Sequence, residues 1–155
     1  MKTSIAQTTH FMEIALKEAI KAKGRDEVPV GSIIIDKKNN IITTNGNRIN
    51  ELSDPTAHAE ILCIREASRK LNNKRLFDCK IFTTLEPCTM CASAISLARI
   101  RTLYFGAFDF KGGAIENGVQ FYNSSACNHK PEFYGGFNEK ESSILLKSYF
   151  EKKRV

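Results

Sequence analysis

Two kinds of hydrophobic pattern alternate along the chain. Over residues 10–23, "HFMEIALKEAIKAK", Phe11, Ile14, Ala15, Ala19 and Ala22 recur at three- and four-residue intervals with lysines and glutamates between them. That period predicts an amphipathic helix, capped by Thr8 or Thr9 and ended by Gly24. "VGSIIID" and "NIITTN" are β-branched runs on either side of the polar "KKNN", and they predict a hairpin. A polar stretch closing on "SDPT" leads into a second helix over 57–70, started by Pro55 or Thr56 with Thr56 as its cap. "KIFTTLE" predicts a third strand, Pro87 opens a third helix running to about Arg99, and "TLYFGAF" predicts a fourth strand.

From Lys111 to His129 the pattern is lost in a long irregular segment, of the kind that carries function in compact domains. "PEFYGG" predicts a fifth strand held at a sheet edge by Pro131. A last helix over about 138–152 places Ile144, Leu145, Tyr149 and Phe150 on its apolar face. Strand and helix alternate from residue 57 onward, which implies a partly parallel sheet covered on both faces. The predicted fold is a single domain over residues 1–155, an α/β/α three-layer sandwich around a mixed five-stranded sheet.

Composition narrows this little further. With 155 residues, 42% hydrophobic and 26% charged, the chain reads as one globular domain able to bury a sizeable core. The opening "MKTSIAQTTHF" has one lysine and no apolar stretch, which predicts no secretory signal. No apolar run approaches the roughly 20 residues that span a bilayer. The expected location is the cytoplasm. A net charge of +6 tilts the expectation toward a polyanionic partner.

Five cysteines stand at 63, 79, 88, 91 and 127, an odd and sparse set unlike a disulfide framework. Cys63, Cys79 and Cys127 lie in or near apolar segments and read as packing residues. Cys88 and Cys91, in "TLEPCTMCASA", are open to three readings: metal ligands, a redox pair or core packing. The stretch "TAHAEI" thirty residues earlier bears on that choice, because it offers His58 and Glu60. Zinc prefers thiolate and imidazole, and a catalytic zinc has three protein ligands and one open position. His58, Cys88 and Cys91 form such a set. Cys88 and Cys91 flank the first turn of a helix, where the amide dipoles favour thiolate. His58 and Glu60 are two apart and cannot share the side of a helix, but they can share a pocket at its start. A glutamate there, not itself a ligand, can move a proton between water and substrate.

His-x-Glu followed by Pro-Cys-x-x-Cys is the signature of the zinc-dependent nucleobase deaminases. The further motifs "EVPVG", "NR" at 47–48, "DPTAHAEI", "LEPCTMCA", "ARI", "FGAFDFKGGA" and "NH" at 128–129 follow in one order. In that order the chain resembles the bacterial tRNA-specific adenosine deaminases, of the cytidine/deoxycytidylate deaminase superfamily, from about residue 10 to 154. The resemblance implies a cytidine deaminase-like fold and hydrolytic conversion of adenosine to inosine at the wobble position of tRNA, typically an arginine tRNA bound through its anticodon stem-loop. It implies a homodimer with one Zn2+ per subunit, held by His58, Cys88 and Cys91. Glu60 would be the proton shuttle that serves N1 of adenine and the departing ammonia.

By the same resemblance, Asn47 and the backbone at Ala59 would hold the flipped base. Asp109, Lys111, Asn128 and His129 would grip neighbouring nucleotides, and Arg154 lies in the basic last helix. Phe108 departs from the pattern, standing where the best-known relatives carry arginine, and residues 115–127 depart as well. Without the resemblance, Asn47 reads as a turn residue, His129 as an ordinary loop histidine and the final "EKKRV" as a solvated helix end. Two rival functions share the signature: deamination of a free base or nucleotide of guanine or cytosine type, and a catalytically silent zinc-bearing subunit. The second fits poorly with retention of Glu60.

Overall fold

The structure, a computed structural model, describes residues 3–154. Its elements in chain order are α1 (Ile5–Gly24), β1 (Gly31–Ile35), β2 (Ile41–Gly46), α2 (Ala59–Lys70), β3 (Lys80–Leu85), α3 (Thr89–Leu97), β4 (Thr102–Ala107), a 3-10 turn (Phe121–Asn123), β5 (Glu132–Tyr134) and α4 (Glu139–Lys153). The strands form one five-stranded sheet in the order β2-β1-β3-β4-β5. β1 runs antiparallel to both β2 and β3, while β3, β4 and β5 run parallel. The mixed sheet and the edge position of β5 agree with the sequence reading.

Period-two alternation distributes the strand side chains to two cores. Ile34, Ile81, Leu103 and Phe105 turn to the face covered by α2 and α3, where they meet Cys63, Ala67, Ala92 and Ile95. Ile33, Ile35, Phe82 and Tyr104 turn to the other face, against Phe11, Met12 and Ala15 of α1. A row of rings, Phe11, Phe82, Tyr104 and Tyr134, crosses that face with centroids 5.3, 4.7 and 5.5 Å apart. Burial of each side chain of this size contributes about 1.5–3 kcal/mol. Cys63 and Cys79 are buried free thiols, and Cys127 packs half-buried against the α2/α3 core, as expected.

α1 lies unusually close to the sheet. A Cβ at Gly31 would come within 1.9 Å of the Ala15 carbonyl oxygen, so only glycine permits this approach.

Several element ends differ from the sequence reading. α1 begins earlier, because Ser4 and Gln7 form a reciprocal capping box ahead of the apolar stripe. α2 begins at Ala59 rather than near 57, because Thr56 is engaged by the Asp54 carboxylate, through its amide at 2.9 Å and its hydroxyl at 2.7 Å. α3 begins at Thr89, not at Pro87, and ends at Leu97. On α4 the buried position is Ser142, with Leu145, Leu146 and Tyr149 half-buried; Ile144 and Phe150 are exposed. Among the described residues no helix is long and apolar enough to cross a membrane.

Candidate active site

β3 and β4 end side by side, and the starts of α2 and α3 meet at that edge of the sheet. The residue at each N-cap is one that can bind metal: His58 for α2 and Cys88 for α3, both with extended backbone and neither side chain capping its own helix. An N-cap side chain ordinarily accepts an amide of the first turn. Here the two side chains turn to one another. His58 Nδ1 stands 3.7 Å from Cys88 Sγ and 3.5 Å from Cys91 Sγ, and the three donor atoms lie within 4.8 Å of one another. A tetrahedral zinc, at its usual bond lengths to sulfur and nitrogen, spaces such donors by about 3.6 Å. The three donors therefore fit one zinc ion with little movement.

The electrostatics of the trio point the same way. The hydrogen bond from the Cys91 thiol pulls the Cys88 thiol well below its usual range, and His58 adds to the effect. The same bond, with burial, pushes Cys91 up. His58 is raised, first by its hydrogen bond to Cys88. Glu60, only 3% exposed, is raised by burial. Its Oε1 accepts from the Thr83 hydroxyl at 2.9 Å, and its Oε2 accepts from Cys91 Sγ at 3.4 Å. His58 and Glu60 do share the space at the helix start, as the argument from helix geometry anticipated.

That space is a cavity of about 180 Å³ lined by Asn47, Ile49, His58, Glu60, Cys88 and Asp109, with Val28, Val30, Leu85, Glu86 and Gly112 completing it. Asn47 is 5% exposed and firmly placed. Its Oδ1 accepts the Ala59 amide at 2.7 Å, its own amide donates to Val30 O at 3.1 Å, and its carbonyl accepts from Arg25 Nη2 at 3.2 Å. The Ala59 N–H is thus engaged within the protein, and Ala59 acts on the cavity by orienting Asn47.

An apolar groove of about 760 Å³ adjoins the cavity, sharing Val28, Leu85, Asp109 and Gly112 with it. Lys111 and Arg154 stand on its walls beside Phe108, Phe110 and Phe150. Phe108 packs edge-on against Phe105 with centroids 5.3 Å apart. Phe110 is 82% exposed.

Asn128 and His129 are not brought into this constellation. The imidazole Nε2 of His129 pairs with Ile100 O at 2.8 Å, and the His129 carbonyl accepts from the Ser96 hydroxyl at 2.7 Å. Both residues therefore sit near the far end of α3, a helix of 9 residues, about 13 Å from its start. The sequence reading missed Val28, Val30, Ile49, Leu85, Glu86 and Gly112 as lining residues. The runs "EVPVG", "LEPC" and "FGAFDFKGGA" were the signal for all of them but Ile49, which lies in none of the quoted motifs.

Comparison with known proteins accounts for this arrangement. Residues 5–107 match the zinc-binding region of the cytidine and deoxycytidylate deaminases. The tRNA-specific adenosine deaminase of Agrobacterium fabrum is 51% identical over 151 residues, which cover 97% of this chain and 99% of that protein. The chain belongs to this deaminase family, among the tRNA-specific adenosine deaminases. The corresponding deaminase of Rickettsia typhi is 46% identical over 144 residues, covering 92% of this chain and 97% of that one. A solved structure from work on A-to-I editing by tRNA:A34 deaminases at the wobble position of transfer RNA superposes with a TM-score of 0.87 at 53% identity, covering 89% of this chain and 99% of that chain. A zinc-binding deaminase domain with this His/Cys/Cys trio accommodates one Zn2+ per chain.

Proposed function

We propose that this chain deaminates adenosine to inosine at the wobble position of tRNA, consuming water and releasing ammonia. One observation carries the chemistry: a buried glutamate, anchored by Thr83, lies beside a His/Cys/Cys trio and inside a cavity walled by an oriented asparagine. The substrate follows from the likeness to the tRNA-specific deaminases over nearly the whole chain.

His58, Cys88 and Cys91 are the residues to hold the zinc. Zinc in such a site lowers the pKa of water and so supplies a nucleophile near neutral pH. Glu60 takes one proton of the attacking water and delivers it to N1 of adenine; it then carries the remaining hydroxyl proton from the new C6–O group to the exocyclic nitrogen. A C6–O bond forms, the C6–N bond breaks, and ammonia leaves. Burial that raises the Glu60 carboxyl favours this cycle, because a proton carrier works best near the operating pH.

Asn47, with its Oδ1 fixed on Ala59, has its Nδ2 to offer an acceptor on the flipped base. Asp109, Lys111 and Arg154 border the groove where flanking nucleotides of the anticodon loop pass. Asn128 and His129 lie too far along α3 to join them within one chain, so their contact with RNA belongs to a homodimer, in which a second copy presents them. The setting is the cytoplasm.

The test is incubation of the zinc-loaded protein with an unmodified arginine tRNA carrying a wobble adenosine. Conversion of that one position, read as guanosine on sequencing, is the expected result. Deamination of free guanine or cytosine compounds with none on tRNA would move the assignment to a free-base or nucleotide deaminase.

A further inference from the structure

We infer that Glu86 is a positioning residue for the substrate, holding the segment 109–117 in register with the metal-binding turn. The inference rests on the proposed function for its effect on catalysis, and on geometry for the placement itself.

Glu86 ends the strand side of the "LEPC" turn, two residues before Cys88, and is 1% exposed. Its carboxylate accepts five hydrogen bonds, all from one segment. Oε1 takes the Asp109 amide at 3.0 Å and Asn117 Nδ2 at 2.7 Å. Oε2 takes the amides of Ile115, Glu116 and Asn117 at 3.1, 3.0 and 3.0 Å. Among the described residues no cation forms a salt bridge with it; converging backbone amides supply the positive end of the interaction, as in anion-binding nests.

The segment has no helix or strand of its own between β4 and the 3-10 turn at Phe121–Asn123. Of its other amides, those of Lys111, Gly112 and Gly113 are held by Asp109 itself and that of Ala114 by Pro87 O. Gly113 is pressed so tightly on the carboxylate that an added Cβ would lie 2.6 Å from Glu86 Cδ. The seam is completed by the Glu86 amide, which donates to Ala107 O at 2.8 Å.

The position of Glu86 in the chain gives this cradle its meaning. The turn it belongs to carries Cys88, and the segment it grips carries Asp109 and Gly112, which face the cavity, and Lys111, which faces the groove. One side chain therefore fixes the distance between the reacting centre and the RNA-facing wall. A displaced wall weakens the hold on RNA and leaves the proton carrier and metal donors in place, so the effect belongs in KM rather than kcat.

Glu86→Gln in the full chain tests this, since the amide fills the same volume but turns an NH2 toward amide donors. Zinc content should stay at that of the parent. Hydrogen exchange at the amides of 109 and 115–117 should speed up about tenfold or more, and KM for tRNA should rise about tenfold with kcat nearly unchanged. Unchanged exchange and unchanged KM would overturn the inference. So would a loss of zinc with a fall in kcat at constant KM, which would make Glu86 a prop of the metal turn alone. Should Glu86→Gln fail to fold, Asn117→Ala decides. It removes one donor and spares the backbone, so KM should rise about threefold, and a constant KM overturns the inference. If the parent protein converts no tRNA, the proposed function fails, while the exchange measurement still judges the cradle.

Discussion

Glu60 owes its place to one hydroxyl. Thr83 Oγ1 fixes Oε1 at 2.9 Å, leaving Oε2 to accept from Cys91 Sγ at 3.4 Å. Glu60→Gln preserves the shape and the hydrogen bond but removes the proton-carrying function. Inosine formation should fall by about 10²–10⁴-fold with zinc content unchanged, measured by single-turnover conversion and metal analysis. Undiminished turnover would take Glu60 out of the mechanism. The residues of this centre were legible in the sequence because their types are scarce and their spacing is local: His58 with Glu60, Cys88 with Cys91. Glu86 was not legible. A glutamate at the end of an apolar strand looks like a surface residue, and its five partners arise 23 to 31 positions downstream.

At the level of elements, α2 and α3 share an unusual trait. Each has a side chain able to bind metal at its cap and no side-chain hydrogen bond closing its first turn. A zinc ion held by His58, Cys88 and Cys91 would replace two caps at once by tying the start of α2 to the start of α3. Removing it, by chelation or by Cys88→Ala, should fray both helix starts at a cost of about 1–4 kcal/mol in all. A lower Tm and a loss of helical circular dichroism on chelation are the expected readings; identical melts with and without metal would show that the caps do not depend on it. The element boundaries illustrate how far pattern goes. Thr56 offers a better intrinsic cap than His58, so propensity placed the start of α2 too early. The Asp54 carboxylate takes up the Thr56 amide and hydroxyl, and the helix starts at Ala59. On α4 the aliphatic and aromatic spacing suggested a buried stripe, yet Ile144 is 58% exposed, because the helix rests on the sheet through Ser142 instead.

Across the whole molecule, the net charge of +6 finds a use beside the groove, where Lys111 and Arg154 face the path proposed for RNA. Binding of an anticodon stem-loop should release counterions. Affinity should fall about tenfold or more between 50 and 200 mM salt if two to three phosphates are contacted. Fluorescence anisotropy across that range gives the slope, and a flat response would argue against a phosphate-binding face. The sheet was the most legible part of the fold, because alternation in Ile33–Ile34–Ile35 and in Ile81–Phe82 encodes two buried faces directly. The groove was not, since it is assembled from Val28, Leu85, Phe108 and Leu146, residues ordinary in themselves and far apart in the chain.

The close seating of α1 has a reach beyond packing. The chain leaves α1, passes through Val28 and Val30, and enters β1 at Gly31, whose missing methyl group lets helix and strand touch. Those two valines are part of the cavity wall. The gap between helix and sheet therefore acts as a gauge for the calibre of the substrate's seat. A side chain at Gly31 would prise α1 outward and drag Val28 and Val30 with it. The fit of the base is governed in part from the opposite layer of the sandwich, by a residue outside the lining of the cavity.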